Sequence, residues 1–302
     1  MSTLAEQAVI EIISYDGARE FRIAGPGQGD RKVWLATDAE GIYDAPVTTL
    51  WKSSAFQVGG TYKGKRYNQR EVTFGVEILG DTAAEWQYND SEWRRAWSYD
   101  EDSIMRVTTP LSGTRELRLR MSENPMIKSK KDPRILRHTQ VPMACTAGQP
   151  MWTQPDDVTE WNLDAGQTSG ADGVWVANPT DQVMLHKWQV DAPGTWLLPD
   201  FSWVGPEGDR APGGEWADRM VPLPSLLAGQ DATVDLDRME EMITAADDTN
   251  LWGRMDGKFF MHPIPPYTQP FFLPVSVSGA TSENKGVSLI QPRRWSRPWG
   301  ME

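Results

Sequence analysis

Leu251-Trp252-Gly253, Lys258-Phe259-Phe260-Met261 and Phe271-Phe272-Leu273-Pro274-Val275 lead into a closing Arg293-Arg294-Trp295-Ser296-Arg297-Pro298-Trp299. The apolar runs are short, and Pro263, Pro265, Pro266, Pro270 and Pro274 break them; each proline removes a backbone donor and forbids a long helix. Strand-length segments between turn residues remain, which is the pattern of antiparallel β structure. The cationic, aromatic ending suits an edge or docking surface better than a catalytic pocket. Arg293, Arg294, Trp295, Arg297 and Trp299 are therefore the candidate interaction residues, docking on the N-terminal domain or on a neighbouring subunit. The alternative is a loose tail with locally buried aromatics.

Upstream, Gly173–Val176, Gln182–Val190, Thr195–Leu198, Lys258–Met261, Phe271–Val277 and Val287–Ile290 are strand candidates at the spacing of an antiparallel sandwich. Leu236–Ala246 reads either as a helix, with Leu236, Met239, Met242 and Ile243 on one face, or as a strand leaving into a turn. In the N-terminal half, Val9–Ile13 and Glu20–Ile23 flank an Asp16-Gly17 turn. Val72, Phe74, Val76 and Ile78 alternate with polar residues, as do Leu117, Leu119 and Met121. Thr82 with Glu85 forms a capping-box signature, and Trp86, Trp93 and Trp97 follow at helical offsets. One helix should pack on the sheet through this stripe, as core or, less economically, as a subunit contact.

The chain has 302 residues, enough for two domains with separate cores. Residues 1–150 hold 20 Lys and Arg against 20 Asp and Glu, whereas 151–302 hold 10 against 22, so the net charge of -12 lies in the second half. Ten of the 15 Trp and 15 of the 22 Pro also lie there. Such contrasts fit separately folded units. The expected division is 1–148 and 149–302, with a Pro-rich, aperiodic linker at about 122–151. The fold class is mainly β: an N-terminal β-rich domain with one helix and a C-terminal antiparallel sandwich.

The acidic balance, with no basic block longer than Lys128-Ser129-Lys130-Lys131, argues against nucleic acid as a partner. No apolar window reaches membrane length and Met1–Glu6 lacks a signal-peptide pattern, so a cytoplasmically synthesised protein without membrane insertion is expected. Gly25-Pro26-Gly27-Gln28-Gly29-Asp30-Arg31-Lys32 lacks the Lys-Ser/Thr of a phosphate loop and precedes a strand, Val33-Trp34-Leu35. His138, His186 and His262 are scattered and Cys145 is alone, so no metal site, cofactor or nucleophilic machinery is expected. Asp156-Asp157, Glu240-Glu241 and Asp247-Asp248 motivate only a remote cell-wall hydrolase. Trp175, Trp188, Trp196, Trp203 and Trp216 motivate a carbohydrate- or receptor-binding module, although strand tryptophans are more often core.

The order of Tyr15-Asp16-Gly17, Gly59-Gly60-Thr61-Tyr62, Arg70-Glu71-Val72-Thr73-Phe74, Glu85-Trp86 to Trp97 and Arg115 to Arg120 resembles a known family. Gln149-Pro150-Met151-Trp152, Asn178-Pro179-Thr180-Asp181, Val234-Asp235-Leu236-Asp237 and the Trp-Ser-Arg-Pro-Trp ending continue that resemblance, to the distal tail proteins of long-tailed bacteriophages, called minor tail proteins in phages of actinobacteria. It implies a non-enzymatic virion protein at the tail tip. Its N-terminal domain would form a hexameric ring of its own copies, with the tail tube protein above and tail-tip or baseplate hub proteins below. The C-terminal sandwich would be galectin-like in shape, with no sugar-binding residue carried over.

Overall fold

The computed structural model describes residues 7–36, 39–127, 131–281 and 285–302. Met1–Glu6, read for a targeting signal, and Lys128–Lys130 of the basic block lie outside them. The chain forms two compact units, Met1–Gln154 with Trp295–Met301, and Pro155–Arg294 with Glu302.

The first unit contains β1 (Val9–Ile13), β2 (Glu20–Ala24), β3 (Val33–Leu35), β4 (Val47–Lys52), β5 (Thr61–Tyr67), β6 (Arg70–Leu79), α1 (Ala83–Arg95), β7 (Ser103–Thr109), β8 (Gly113–Met121), the one-turn α2 (Pro133–Leu136) and β9 (His138–Ala147). Antiparallel pairing runs β2-β1-β7-β8, and the end of β8 joins β9, which pairs with β6, which pairs with β3. Alternation makes this geometry: Val72, Phe74, Val76 and Ile78 of β6 are buried while Glu71 and Thr73 are exposed.

The helix begins where expected. Thr82 Oγ1 accepts from the Glu85 N–H at 3.1 Å, and the Glu85 carboxylate accepts from the Asp81 N–H at 2.7 Å, so the box closes one residue upstream of the cap. Trp86, Trp93 and Trp97 are all buried. Trp93 meets Phe21 and Trp97 edge-on at 5.2 and 5.5 Å, which places the stripe in the core of this unit.

The expected linker is largely structured. Residues 138–147 form β9, with Thr139, Val141, Met143, Cys145 and Ala147 buried. Pro142 disguised it, yet β9 pairs with β8 only near Cys145 and Thr146, so β9 has an open side at Pro142 where a missing N–H costs nothing.

The second unit contains most of β10 (Trp152–Asn162), then β11 (Ser169–Asn178), β12 (Lys187–Val190), β13 (Thr195–Pro199), β14 (Trp203–Val204), β15 (Ala211–Pro212), β16 (Met220–Pro222), β17 (Ala232–Asp235), β18 (Ile243–Ala245), β19 (Thr268–Ser278) and all but the last residue of β20 (Gly286–Trp295). One sheet runs β18-β17-β12-β20-β10 and another β11-β19-β13-β16. Trp188, Val234 and Leu289 from the first and Val174, Trp196 and Val275 from the second share one buried core, as in a sandwich.

One open reading is decided here, for the strand that leaves into a turn, and one expectation changes. Leu236–Ala246 is not a helix: Asp235 accepts from the Asp237 N–H and Asp237 from the Met239 N–H, and these side-chain turns lead into β18. Lys258–Met261 is not a strand, because the Met261 and His262 N–H groups donate to the Asp200 carboxylate instead of a ladder.

Candidate assembly surfaces

The candidate tail residues divide between the two units. Arg293 and Arg294 belong to the second. β11 is an edge strand, and side chains occupy outer backbone groups near its C-terminal end: Thr159 and Gln291 donate to the Trp175 carbonyl, Gln291 accepts from the Ala177 N–H, and Arg293 donates to the Ala177 carbonyl. Arg293 also pairs with Asp157 at 2.7 Å, so its role is to blunt an edge that would otherwise recruit another strand. Arg294 lies 3.7 Å from Asp237.

Trp295–Met301 belongs to the first unit, where two buried arginines hold its backbone. Arg70 donates to the carbonyls of Pro150, Gly41, Ile42 and Ser296 at 2.7–3.1 Å. Burial without a touching carboxylate pushes its pKa down to about 10, still cationic at neutral pH. Arg115 donates to the carbonyls of Arg297 and Gly300 and stacks its guanidinium 3.8 Å from the centre of the Trp295 ring. Trp295 is buried and donates to Gln154, Arg297 pairs with Asp44 at 3.1 Å, and Trp299 meets Tyr43 edge-on at 5.3 Å.

The opposite holds for residues 47–67. Among the described residues β4 and β5 pair only with each other, and nearly every residue of both is exposed. Register puts Val47 opposite Tyr67 and Trp51 opposite Tyr62, giving one face an apolar stripe, with Trp51 and Tyr62 edge-on at 5.5 Å. At the tip, Phe56 and Val58 are fully exposed. Residues 46–68 include Lys52, Lys63, Lys65 and Arg66 and no acid. A lone two-stranded hairpin is marginal in water, and among the described residues this amphipathic one has no cover in its own unit.

In the same unit, an open groove of about 630 Å³ lies between the outward side of β6 and β9, at Thr73, Gly75, Gln140 and Pro142, and the segment Glu123–Met126.

Among the described residues no group of three His, Cys, Asp or Glu is arranged for a metal. Burial pushes the Cys145 thiol up to about 12, away from thiolate reactivity. Asp157 is engaged by Arg293, and hydrogen bonds from Thr249 hold Asp247 below the usual carboxylate range, the reverse of a glycosidase acid. The glycine-rich turn is closed on itself: Gln28 N–H donates to the Gly25 carbonyl and Gly29 N–H to that of Arg22, and Gly29, at φ 76°, lets the Trp34 ring lie where a Cβ would be. Of the five tryptophans considered for sugar binding, Trp188 and Trp196 are wholly buried, Trp203 is half-buried, and Trp175 and Trp216 are exposed.

No family model matches the chain. Over 343 aligned positions it is 33% identical to the minor tail protein Gp27 of Mycobacterium phage D29, covering 97% of this chain and 98% of that protein. The chain belongs to the phage minor tail protein family. The Gp27 protein of Mycobacterium phage L5 is 32% identical over the same shares. The fold of this minor tail protein is similar to that of the SPP1 Dit protein, with a TM-score of 0.58 at 11% identity, covering 94% of this chain and 99% of that one. A chain of the phage p2 baseplate in its activated, Sr-bound conformation gives a TM-score of 0.50 at 9% identity, covering 96% and 99%.

The relatives are named as tail proteins and not as enzymes, and this minor tail protein is a structural component of the virion tail. Sequence reasoning singled out the tail and passed over the hairpin. The signal was present, since Val47, Thr49 and Trp51 alternate with Thr48, Leu50 and Lys52. Alternation without a consistent apolar set is faint, because neither face enters a core of the same chain.

Proposed function

We propose that this minor tail protein forms a closed ring of its own copies, six by family resemblance, at the distal end of the tail tube. There it joins the tube protein above to tail-tip or baseplate hub proteins below. The observation that carries this reading is the β4–β5 hairpin, whose stripe of Val47, Trp51, Tyr62 and Tyr67 needs cover from outside its own unit. The likeness to a protein described as a paradigm of the hub adsorption apparatus in phages infecting Gram-positive hosts supports the position. A near-neutral N-terminal half also packs against copies of itself more readily than an acidic one. The second unit is read as the outward, galectin-like sandwich.

Native mass spectrometry of the full chain, with negative-stain images, tests this. Six-subunit rings are the expected result, and a chain that stays monomeric at tens of micromolar overturns it.

A second reading, carbohydrate or receptor binding, is favoured by one feature. Trp175 and Phe272 form a cross-strand pair, both exposed, on the outer face of β11 and β19. Glycan-array binding that disappears in Trp175→Ala supports it; an array without signal removes it.

A further inference from the structure

We propose that the β4–β5 hairpin of one copy seats its tip in the groove of a second copy, between the outward side of β6 and β9 and the segment 123–126. This rests on the ring reading and names the receiving surface that reading leaves open.

Three observations converge on it. The first is shape. Phe56 and Val58 stand clear of their own chain, and the groove has room for both side chains without rebuilding its walls. Its floor is low, with Thr73 and Gly75 on β6 and Pro142 and Ala144 on β9, and Met126, largely exposed, forms a lip. Methionine adapts to an incoming aromatic ring at little cost.

The second is charge. The hairpin brings Lys52, Lys63, Lys65 and Arg66 without an acid. The receiving side offers Glu123 in the groove wall, with Glu71 and Glu77 at outward positions of β6. Opposite potentials set orientation and register across such a contact.

The third is symmetry. Hairpin and groove are different patches of one unit, so a contact between them is head-to-tail; such a contact builds a ring when its rotation closes, whereas a two-fold contact stops at a dimer. The surface chemistry thus fits the ring reading and not a two-fold pair.

Thiol crosslinking of the full chain tests the docking. Phe56→Cys and Gln140→Cys are made as separate variants; both positions are exposed, and unchanged circular dichroism and melting verify folding. The native Cys145 is buried and stays in place. Mixing the two variants with a short bis-maleimide should give a covalent dimer, neither alone should, and the double variant should give a ladder. Phe56→Cys mixed with Leu227→Cys, an exposed position of the second unit, should give none. In parallel, Lys63→Glu with Lys65→Glu should raise the dissociation concentration about tenfold, and adding Glu123→Lys should recover most of it.

If no Phe56–Gln140 product forms, or if Leu227→Cys reacts equally, while the wild-type chain is still oligomeric, the docking is overturned and the ring stands. A monomeric wild-type chain overturns both.

Discussion

The tail, residues 295–301, and the hairpin, residues 47–67, have the same composition in outline: tryptophan beside arginine or lysine, with little acid. Their fates are opposite. The tail is consumed within its own chain because Arg70 and Arg115, buried in the first unit, donate to the tail carbonyls of Ser296, Arg297 and Gly300. The hairpin has no such clamp, and its aromatic stripe stays exposed. A cationic aromatic segment therefore does not declare whether it serves folding or assembly. The decision lies with distant buried donors, here two arginines that donate to main-chain carbonyls of the tail.

If that division is right, tail and hairpin substitutions should separate cleanly between stability and assembly. The largest effect is expected at the clamp. Arg70→Ala takes the donor from four carbonyls, and Arg115→Ala takes it from two and unstacks Trp295; either should destabilise the first unit by about 3 kcal/mol or more. Urea unfolding, followed with the second unit's transition as internal reference, measures this. A loss below about 1 kcal/mol would mean that the tail is held by other contacts.

Acid should strike elsewhere. Burial lowers the pKa of His186, in the second unit, to about 4, so the folded state holds it neutral. In the unfolded chain it protonates near 6.5, so this contribution is complete above pH 6.5 and is lost as pH falls toward 4. The loss is about 3 kcal/mol, located in the second unit rather than at the clamp. His186→Phe should flatten the dependence over that range in denaturation midpoints recorded from pH 7 to pH 4.5. A midpoint as pH-sensitive as in the wild type would assign the dependence to other groups.

The smallest stability effect belongs to the hairpin. Trp51→Ala with Tyr62→Ala removes exposed rings and should change stability by no more than about 0.5 kcal/mol. A larger drop in melting temperature for the dilute protein would show that the hairpin supports its own unit after all.

Much of this fold was legible in the sequence because one buried face and one wet face leave a period of two. β2, β6, β8, the C-terminal half of β11 and β19 carry that signal, and Thr82 with Glu85 marks the start of α1. Elements with unusual partners were not legible. β9 hides behind Pro142, at a point where β9 has an open side; residues 258–261 give their N–H groups to Asp200; and the return of Trp295 to the first unit depends on arginines far away in sequence. The candidate site followed the same rule. Arg293 and Arg294 look continuous with Arg297, yet they bind Asp157 and Asp237 in the second unit while Arg297 lies against Asp44 in the first. The hairpin was missed because neither of its faces enters the core of its own unit, so its alternation carries no consistent apolar set.

The central claim is that the hairpin, and not the tail, makes the chain multimeric. Solution mass by light scattering, for wild-type protein beside the Trp51→Ala, Tyr62→Ala variant at equal concentration, tests it most directly. The account predicts a wild-type mass several times the 33.9 kDa of one chain and a folded, monomeric variant with unchanged melting. A variant that keeps the wild-type mass, or a wild-type chain at 33.9 kDa, would contradict it.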